Sequence, residues 1–169
     1  MAEAPDGQSG AIRSIEWYFA YGSNMNPNRV AERGLVTKGC CGGVLSGFEL
    51  AFDKGAQARP GVGHANINAQ RGAQVEGLLH HLASADEILK MDPFEKAPIN
   101  YGRDVVPVQL IKPEPGSPSW VWAWTYFAND AVKQPNLRPE ADYLAHLLAG
   151  EQWLSEGYVR KLRTVQRCD

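Results

Sequence analysis

An aromatic segment near the start of the chain is followed within a few residues by a tight turn and a helix start. Residues 17–21 have the composition of a buried strand, and Gly22 then permits a sharp backbone turn. Asn26 and Pro27 are favoured as the cap and the first residue of a helix, because the Asn oxygen accepts an unpaired N–H and proline lacks that donor. The spacing therefore predicts a strand, a turn and a helix in direct succession.

This predicted junction has a chemical consequence. Where a strand gives way to a helix N-terminus, several backbone N–H groups without partners point toward one place. Such a concavity binds anions such as carboxylate or phosphate. The alternative is an ordinary strand-to-helix connection, since the segment has neither the length nor the lysine of a P-loop. Spacing alone favours that alternative.

The identity of the residues changes this balance. The run Tyr18-Phe19-Ala20-Tyr21-Gly22-Ser23-Asn24-Met25 resembles the signature loop of the γ-glutamylcyclotransferase family, whose members release 5-oxoproline from γ-glutamyl compounds. Later segments resemble the family's two middle strands (residues 63–67 and 75–79), its catalytic segment (89–106) and its C-terminal helices (139–161). The resemblance covers the chain from residue 17 to about residue 165.

The resemblance implies both a fold and a site. The implied fold is α+β, a small mixed β-barrel with flanking helices, and the predicted strands do precede the final helices. Glu95 is implied as the catalytic general base and acid. The implied substrate-binding residues are Tyr18, Phe19, Ala20, Tyr21, Gly22, Ser23 and Tyr143. Asn24 and Tyr101 are further candidates, and Tyr143 has the equal alternative of packing in the core.

The implied reaction needs no enzyme nucleophile. In a γ-glutamyl amide the substrate's own α-amino group can attack the γ-carbonyl, close a five-membered lactam and expel the amine. The protein must hold the chain folded, remove a proton from the ammonium and return one to the leaving nitrogen. One carboxylate can perform both proton transfers.

Glu95 suits that task from its local sequence. It lies just beyond a predicted helix end, where Phe94 is expected to exclude water, and burial against Phe94 and Tyr101 is expected to raise its pKa. The family commonly has glycine after this glutamate, whereas Lys96 follows here. Lys96 would lower the pKa of Glu95 if it pointed inward, and we expect it to face solvent. The general alternative is an exposed loop glutamate.

Three other carboxylates compete with Glu95. Asp92 is interpreted as a helix-end residue and Asp104 as a charge at a strand edge. Glu76 is the strongest competitor, because it lies in an otherwise apolar strand. If its side chain is buried, it must be paired or functional.

The remaining elements follow from turn residues and periodicity. Two short strands within residues 40–52 are predicted to flank a turn at Ser46-Gly47, and strands 64–69 and 74–82 to flank one at Arg71-Gly72. Ser84 begins a capping-box pattern that predicts a short helix. Further strands are predicted over 105–111 and 121–127, a long helix from Pro139, and a last helix capped by Ser155.

Composition restricts the class of protein. A chain of 169 residues, 44% of them hydrophobic, predicts one domain, assigned to residues 15–166 after a flexible tail at 1–14. The net charge of −2 without a basic stripe argues against a nucleic-acid partner. The apolar run at 121–128 falls well short of the roughly 20 residues that span a membrane. The polar N-terminus lacks a signal-peptide core, which predicts a cytoplasmic protein.

Cysteine, histidine and tryptophan residues supply no second chemistry. The three cysteines lack C-x-x-C spacing and are expected to be reduced, and the four histidines lack metal-site spacing, so neither a metal nor a cofactor is predicted. Trp120, Trp122 and Trp124 alternate as one face of a strand and are expected to pack in the core or at its rim.

Three hypotheses of function result. The first is cyclisation of a γ-glutamyl amino acid or dipeptide, the second is the same chemistry on a γ-glutamylated amine or biosynthetic intermediate, and the third is a non-catalytic module that binds a small molecule. The signature loop and Glu95 address only the γ-glutamyl half, so they do not separate the first two. The sequence leaves open whether the protein is a monomer or a homodimer.

Overall fold

The computed structural model of the protein describes residues 14–168, and five strands within them form a closed barrel. Around the barrel the strands follow the order β1-β3-β2-β4-β5. The pairs are antiparallel except that β1 and β5 run parallel, meeting at Tyr18 and Trp124. The strands are β1 Trp17–Ala20, β2 Thr37–Gly55, β3 Gly63–Leu82, β4 Tyr101–Leu110 and β5 Trp120–Ala128. The predicted α+β fold with a mixed barrel is confirmed. The tail predicted at residues 1–14 lies outside the described residues except for Ser14.

Helices flank the barrel and complete its core. The α-helices of the described residues are α1 Pro27–Glu32, α2 Asp92–Glu95, α3 Ala141–Leu148 and α4 Glu156–Arg163. The helix start predicted at Asn26 is confirmed, since its side chain accepts a hydrogen bond from the Asn28 N–H at 3.1 Å. Leu144 and Leu162 bring α3 and α4 into the same hydrophobic core as the barrel.

The two turns predicted inside the long strands are wrong. β2 continues through Ser46-Gly47, and β3 continues through Arg71-Gly72. Ser46 pairs with Gln74 and Phe48 with Ala69, so the four β3 residues between Ala69 and Gln74 lie opposite the single residue Gly47. Gly47 and Gly72 have φ values of 85° and 80°, so the glycines accommodate an irregularity in one continuous ladder.

Two helix predictions also need correction. Ser84 caps nothing with its side chain, and the residues after it form a 3₁₀ helix, Ala85–Lys90. The Glu87 carboxylate accepts a hydrogen bond from the Val36 N–H at 2.8 Å instead of completing a capping box. The long helix predicted from Pro139 divides at Gly150, where a Cβ would lie 3.0 Å from the Met25 carbonyl oxygen. The chain then makes a 3₁₀ turn, Glu151–Trp153, before Ser155 caps α4 as predicted.

The tryptophan face of β5 points outward. Trp120 and Trp122 are 50% and 42% exposed, so of the two expected placements, core or rim, the core is excluded for these two side chains. Trp124 is half-buried beneath the Arg103 guanidinium, 4.5 Å from its ring centroid. The cysteines carry free thiols, and no helix of the described chain is long and apolar enough to cross a membrane.

Candidate active site

The end of β1 forms one wall of a pocket at the mouth of the barrel. After Ala20 the chain passes through Tyr21 and Gly22 into a 3₁₀ helix, Ser23–Met25. The first backbone hydrogen bond donated beyond Gly22 runs from the Met25 N–H to the Gly22 carbonyl at 3.0 Å. Within residues 14–168, the N–H groups of Gly22, Ser23 and Asn24 donate to no backbone carbonyl. These N–H groups are therefore not used by the backbone of the described residues, and that of Ser23 is directed at the Tyr143 hydroxyl oxygen.

Glycine is needed at position 22 because the backbone approaches two neighbours closely. A Cβ there would lie 3.0 Å from the Ala65 Cβ and 3.1 Å from the Tyr143 hydroxyl oxygen. A larger residue would push the turn away from both. The glycine thus lets the loop and α3 meet across the pocket.

All ten residues proposed from the sequence line this one pocket. It holds about 320 Å³ of space free of protein atoms, including space open to solvent. Its lining is Tyr18, Phe19, Ala20, Tyr21, Gly22, Ser23, Asn24, Ala65, Glu95, Tyr101, Tyr126 and Tyr143. Ala65 and Tyr126 were missed by sequence reasoning, and nothing in their local pattern marks them.

Glu95 lines the same pocket, although it lies far from the loop in the sequence. It is the last residue of α2, whereas the sequence predicted a position just beyond the end of a helix. Its side chain is 17% exposed. Oε1 accepts a hydrogen bond from Asn24 Nδ2 at 2.9 Å and lies 3.5 Å from Arg33 Nη1. The carboxylate is thereby fixed against the signature loop, 71 residues earlier in the chain.

Asn24 connects the catalytic candidate to the loop. Its amide donates to the Tyr18 hydroxyl oxygen at 2.8 Å as well as to Glu95, and its Oδ1 accepts from Arg33 Nη1 at 2.8 Å. Asn24 is 3% exposed, so this network is shielded from solvent. Arg33 was not predicted from the sequence. The available signal was its spacing four residues after Arg29, which places two cations near one end of α1.

The electrostatics of Glu95 are a balance of opposing effects. Burial raises the pKa of the Glu95 carboxyl above its ordinary value, whereas Arg33 and the Asn24 hydrogen bond act in the lowering direction. The pKa of Glu95 is shifted upward, as the sequence predicted, but half-exposed Phe94 does not supply the expected burial. Phe94 is 49% exposed, and its ring lies 4.8 Å from the Arg33 guanidinium carbon. Tyr101, by contrast, is buried and shares the pocket with Glu95.

The residue after Glu95 faces away from it. Lys96 has a left-handed backbone with φ of 48°, and its ammonium donates to Gln57 Oε1 at 3.3 Å. It is exposed, as expected. The left-handed conformation gives a physical reason why glycine is favoured after this glutamate.

Two tyrosine hydroxyls in the pocket have different tasks. Tyr101 donates to the Ala65 carbonyl at 2.8 Å, which commits its proton to the backbone. Tyr143 accepts from the Ala65 N–H at 2.9 Å, so its own proton is free to be donated into the pocket. Burial raises the pKa of Tyr143 to about 12, which keeps the hydroxyl protonated at neutral pH. Tyr143 is half-buried and packs partly against the core, so both of its predicted placements are realised.

The competing carboxylates have structural partners elsewhere. Asp92 accepts from the Tyr126 hydroxyl at 2.6 Å and from Arg103 Nε at 3.0 Å. Asp104 is exposed on β4, where its Oδ1 accepts from the Val105 N–H at 2.7 Å. Neither carboxylate lines the pocket of Glu95.

Glu76 is buried but serves the start of α4. It is 5% exposed, and its two oxygens accept from the Ser155 N–H at 2.8 Å and the Ser155 hydroxyl at 2.7 Å. Glu76→Ala is expected to lower the free energy of unfolding by about 1–3 kcal/mol, because the Ser155 N–H and hydroxyl lose a charged acceptor and α4 loses support for its cap. Denaturant titration measures the loss, and unchanged stability would contradict this structural role.

A wider cleft opens from the pocket. The two share Ser23, Glu95, Tyr101 and Tyr143, and the cleft holds about 1380 Å³ including space open to solvent. The charged and histidine side chains of its lining are Arg29, Arg33, Lys54, Arg59, His64, Glu95, Lys96, Glu140, Asp142 and His146. Cations therefore outnumber carboxylates around it.

His64 of this cleft predicts a pH dependence of stability. Its ring stacks on Tyr143 with centroids 4.7 Å apart, and burial lowers its pKa from 6.5 to about 4. The unfolded chain then binds the proton more readily, so His64 costs the folded state stability as pH falls from 6.5 toward 4. We expect His64→Phe, which keeps a stacking ring, to show a smaller drop in melting temperature between pH 7 and pH 5. Parallel curves for the two proteins would contradict this.

No metal centre accompanies the pocket. Across residues 14–168, no cluster of three or more His, Cys, Asp or Glu side chains is arranged to hold a metal ion. The polar groups of the pocket are instead backbone N–H groups, tyrosine hydroxyls, one amide and one carboxylate. That set suits recognition of a small ligand that carries a carboxylate and an amine.

Known proteins resemble the chain in sequence and in fold. The model of the family described as "Gamma-glutamyl cyclotransferase, AIG2-like" matches residues 18–153. No curated protein matches significantly. An uncharacterized human protein of known structure is 23% identical, with 93% of this chain and 91% of that one covered and a TM-score of 0.75. A structure described as a gamma-glutamyl cyclotransferase is 22% identical over 90% and 89% of the chains, with a TM-score of 0.71.

A third structure is more distant. It is a yeast γ-glutamyl cyclotransferase described as specific to glutathione, 12% identical over 86% of this chain and 93% of that one, with a TM-score of 0.59. At these identities the structural likeness establishes the barrel fold alone. The family match covers most of the barrel, the signature loop, Glu95 and Tyr143. The chain therefore belongs to the γ-glutamyl cyclotransferase, AIG2-like family.

Proposed function

We propose that this protein is a γ-glutamylcyclotransferase that converts the γ-glutamyl part of a γ-glutamyl amino acid or dipeptide to 5-oxoproline and releases the amine. One observation carries the proposal. The shielded carboxylate of Glu95 lines the same pocket as Gly22 and Ser23, whose N–H groups donate to no backbone carbonyl of the described residues. Donors suited to a carboxylate and a proton acceptor thus share one pocket.

Binding is assigned to the loop. The N–H groups of Gly22 and Ser23 would hold the substrate α-carboxylate, in the way that unpaired donors at helix starts bind anions. The Tyr143 hydroxyl, with its proton free, would donate a further hydrogen bond to the bound γ-glutamyl group. These contacts place the α-amino group near Glu95 and favour a folded γ-glutamyl chain.

Chemistry is assigned to Glu95. Its carboxylate takes a proton from the α-ammonium, and the freed amine attacks the γ-carbonyl carbon to form the ring C–N bond. The protonated Glu95 then gives that proton to the leaving nitrogen as the original amide C–N bond breaks. The ring nitrogen still carries one proton more than the lactam N–H keeps, and Glu95, ionised again, takes this second proton and passes it to the released amine, which leaves as an ammonium ion. Protons then balance over the cycle, and Glu95 returns to its ionised form.

The surrounding network tunes this proton transfer. A carboxylate whose pKa is raised accepts a proton more readily than an ordinary carboxylate, and more of it is protonated near neutral pH and able to act as the acid. Burial supplies the raising effect, while Arg33 and Asn24 keep the ionised form accessible and hold it in position. We interpret Arg33 and Asn24 as positioning residues.

A direct assay tests the proposal. The purified protein is incubated with a γ-glutamyl dipeptide, and 5-oxoproline and the released amine are quantified together. Equal amounts of both products are expected. Binding of the dipeptide without product would instead indicate a non-catalytic binding module, and product from a γ-glutamylated amine alone would favour that second substrate class.

A further inference from the structure

The cleft outside the pocket contains a buried cation without an anionic partner. Lys54, near the end of β2, is 7% exposed, yet it lines the cleft. Most of its side chain is therefore covered by protein although it borders the cleft, an arrangement that the long aliphatic stem of lysine allows. No carboxylate of residues 14–168 forms an ion pair with it, and no acceptor among them takes a hydrogen bond from its ammonium.

Its location is close to the reacting centre. Lys54 Nζ lies 5.9 Å from the centroid of the Tyr101 ring, and Tyr101 lines both the pocket and the cleft. The ammonium therefore stands where the pocket opens outward. A γ-glutamyl group in the pocket would project its leaving amine through this opening, because Glu95 and Tyr143 border both spaces.

Nearby cations are already engaged or differ in exposure. Arg59 pairs with Glu140, Arg33 lies beside Glu95, and Lys96 is exposed on the rim. Arg29 has no carboxylate partner among the described residues either, but it is only half-buried and its Nη1 lies 3.3 Å from His146 Nε2. Asp142 also lines the cleft, but it is exposed. Burying an uncompensated ammonium costs free energy, and a bound anion would offset that cost. Burial and the charge of Lys96 both lower the pKa of Lys54, so the site favours an anion over a second cation.

We propose that Lys54 is a specificity-determining residue whose ammonium binds a carboxylate carried by the leaving amine close to its nitrogen. This inference rests on the proposed function. Lys54 would favour substrates whose leaving amine is an α-amino acid with a free carboxylate over substrates whose leaving amine is neutral. Lys54 makes no hydrogen bond or ion pair with the described residues of the loop or with Glu95, although the opposite charges of Lys54 and Glu95 attract each other through space. The ratio of the two substrates therefore reports on recognition, because a change in Glu95 alters both rates.

The test compares two substrates that differ only in charge, γ-glutamyl-alanine and γ-glutamyl-alaninamide. We expect kcat/KM to favour the acid roughly 10- to 100-fold, the scale of a charge-assisted hydrogen bond. Lys54→Met should abolish most of this preference, and Lys54→Arg should retain it. Lys38→Met is the matched control, since Lys38 pairs with Glu16 outside the cleft and should keep the wild-type ratio.

The outcomes separate the two claims. If both substrates give 5-oxoproline with equal kcat/KM, or if Lys54→Met keeps the preference for the acid, the role of Lys54 is overturned while the proposed function stands. If neither substrate gives 5-oxoproline, the proposed function fails and the assignment of Lys54 fails with it. Melting temperatures of all variants show whether a lost preference reflects lost folding, and the Lys54→Arg result then decides.

Discussion

Glu95→Gln is expected to lower the turnover of a γ-glutamyl dipeptide by about a hundredfold or more, the scale of losing a general acid–base group. The amide has the size of the carboxylate, and its oxygen can still accept the hydrogen bond from Asn24, but it cannot take a proton. Ligand binding through the N–H groups of the loop should survive. Steady-state kinetics and calorimetric titration on one preparation measure the two effects separately.

A control and a stability measurement sharpen this experiment. Glu49→Gln makes the same change at an exposed position of β2 and should leave turnover unchanged. Because burial raises the folded-state pKa of Glu95, its ionisation penalises the folded protein as pH rises from 4.5 through the raised value. Glu95→Gln lacks that penalty. Its melting temperature should therefore rise relative to that of the wild type as pH increases through this range. Full activity, or inactivity with a collapsed melting temperature, would show that Glu95 is not the proton-transfer residue.

Asn24→Ala is expected to lower the stability of the site and to change the pH dependence of catalysis, because it removes the hydrogen bonds that link the loop to Glu95. The Arg33 guanidinium and the Tyr18 hydroxyl would each lose a partner in a shielded site, at a cost of about 1–3 kcal/mol per group. Glu95 would also lose a hydrogen bond that lowers its pKa. The acidic limb of the kcat/KM profile should therefore shift to higher pH.

Asn28→Ala is the matched control for this change. Asn28 is exposed on α1, and its hydrogen bond to Asn26 uses its backbone N–H, which the substitution keeps. Its pH profile should coincide with that of the wild type. An unshifted profile for Asn24→Ala would mean that Asn24 holds the loop without influencing Glu95.

The signature loop could be predicted because its information is local. An aromatic strand, Gly22 and the Asn26 cap each act on their nearest neighbours, and the structure has the strand, turn and helix they indicate. Glu95 and Tyr143 came from resemblance to a family. Their convergence on one pocket depends on barrel closure, which short-range patterns do not encode.

Other features could not be predicted because their partners are distant in sequence. Gly47 and Gly72 signal a positive φ, but whether the chain reverses there depends on the strand beside it. Glu87 satisfies the capping-box pattern yet bonds to Val36 across the fold. Burial of Lys54 and exposure of Phe94 likewise depend on elements that meet only in the folded barrel.

The short first strand gives ligand binding a mechanical consequence. β1 has four residues and meets β5 through the single pair of Tyr18 and Trp124, reinforced by the Thr125 hydroxyl donating to the Phe19 carbonyl at 2.9 Å. The candidate carboxylate-binding loop continues directly from this strand. A ligand held by that loop would therefore stabilise the β1–β5 pairing, which has a single residue pair. Amide hydrogen exchange at β1 should slow when ligand binds in the pocket, because ligand binding then stabilises the closed barrel against local opening at this strand.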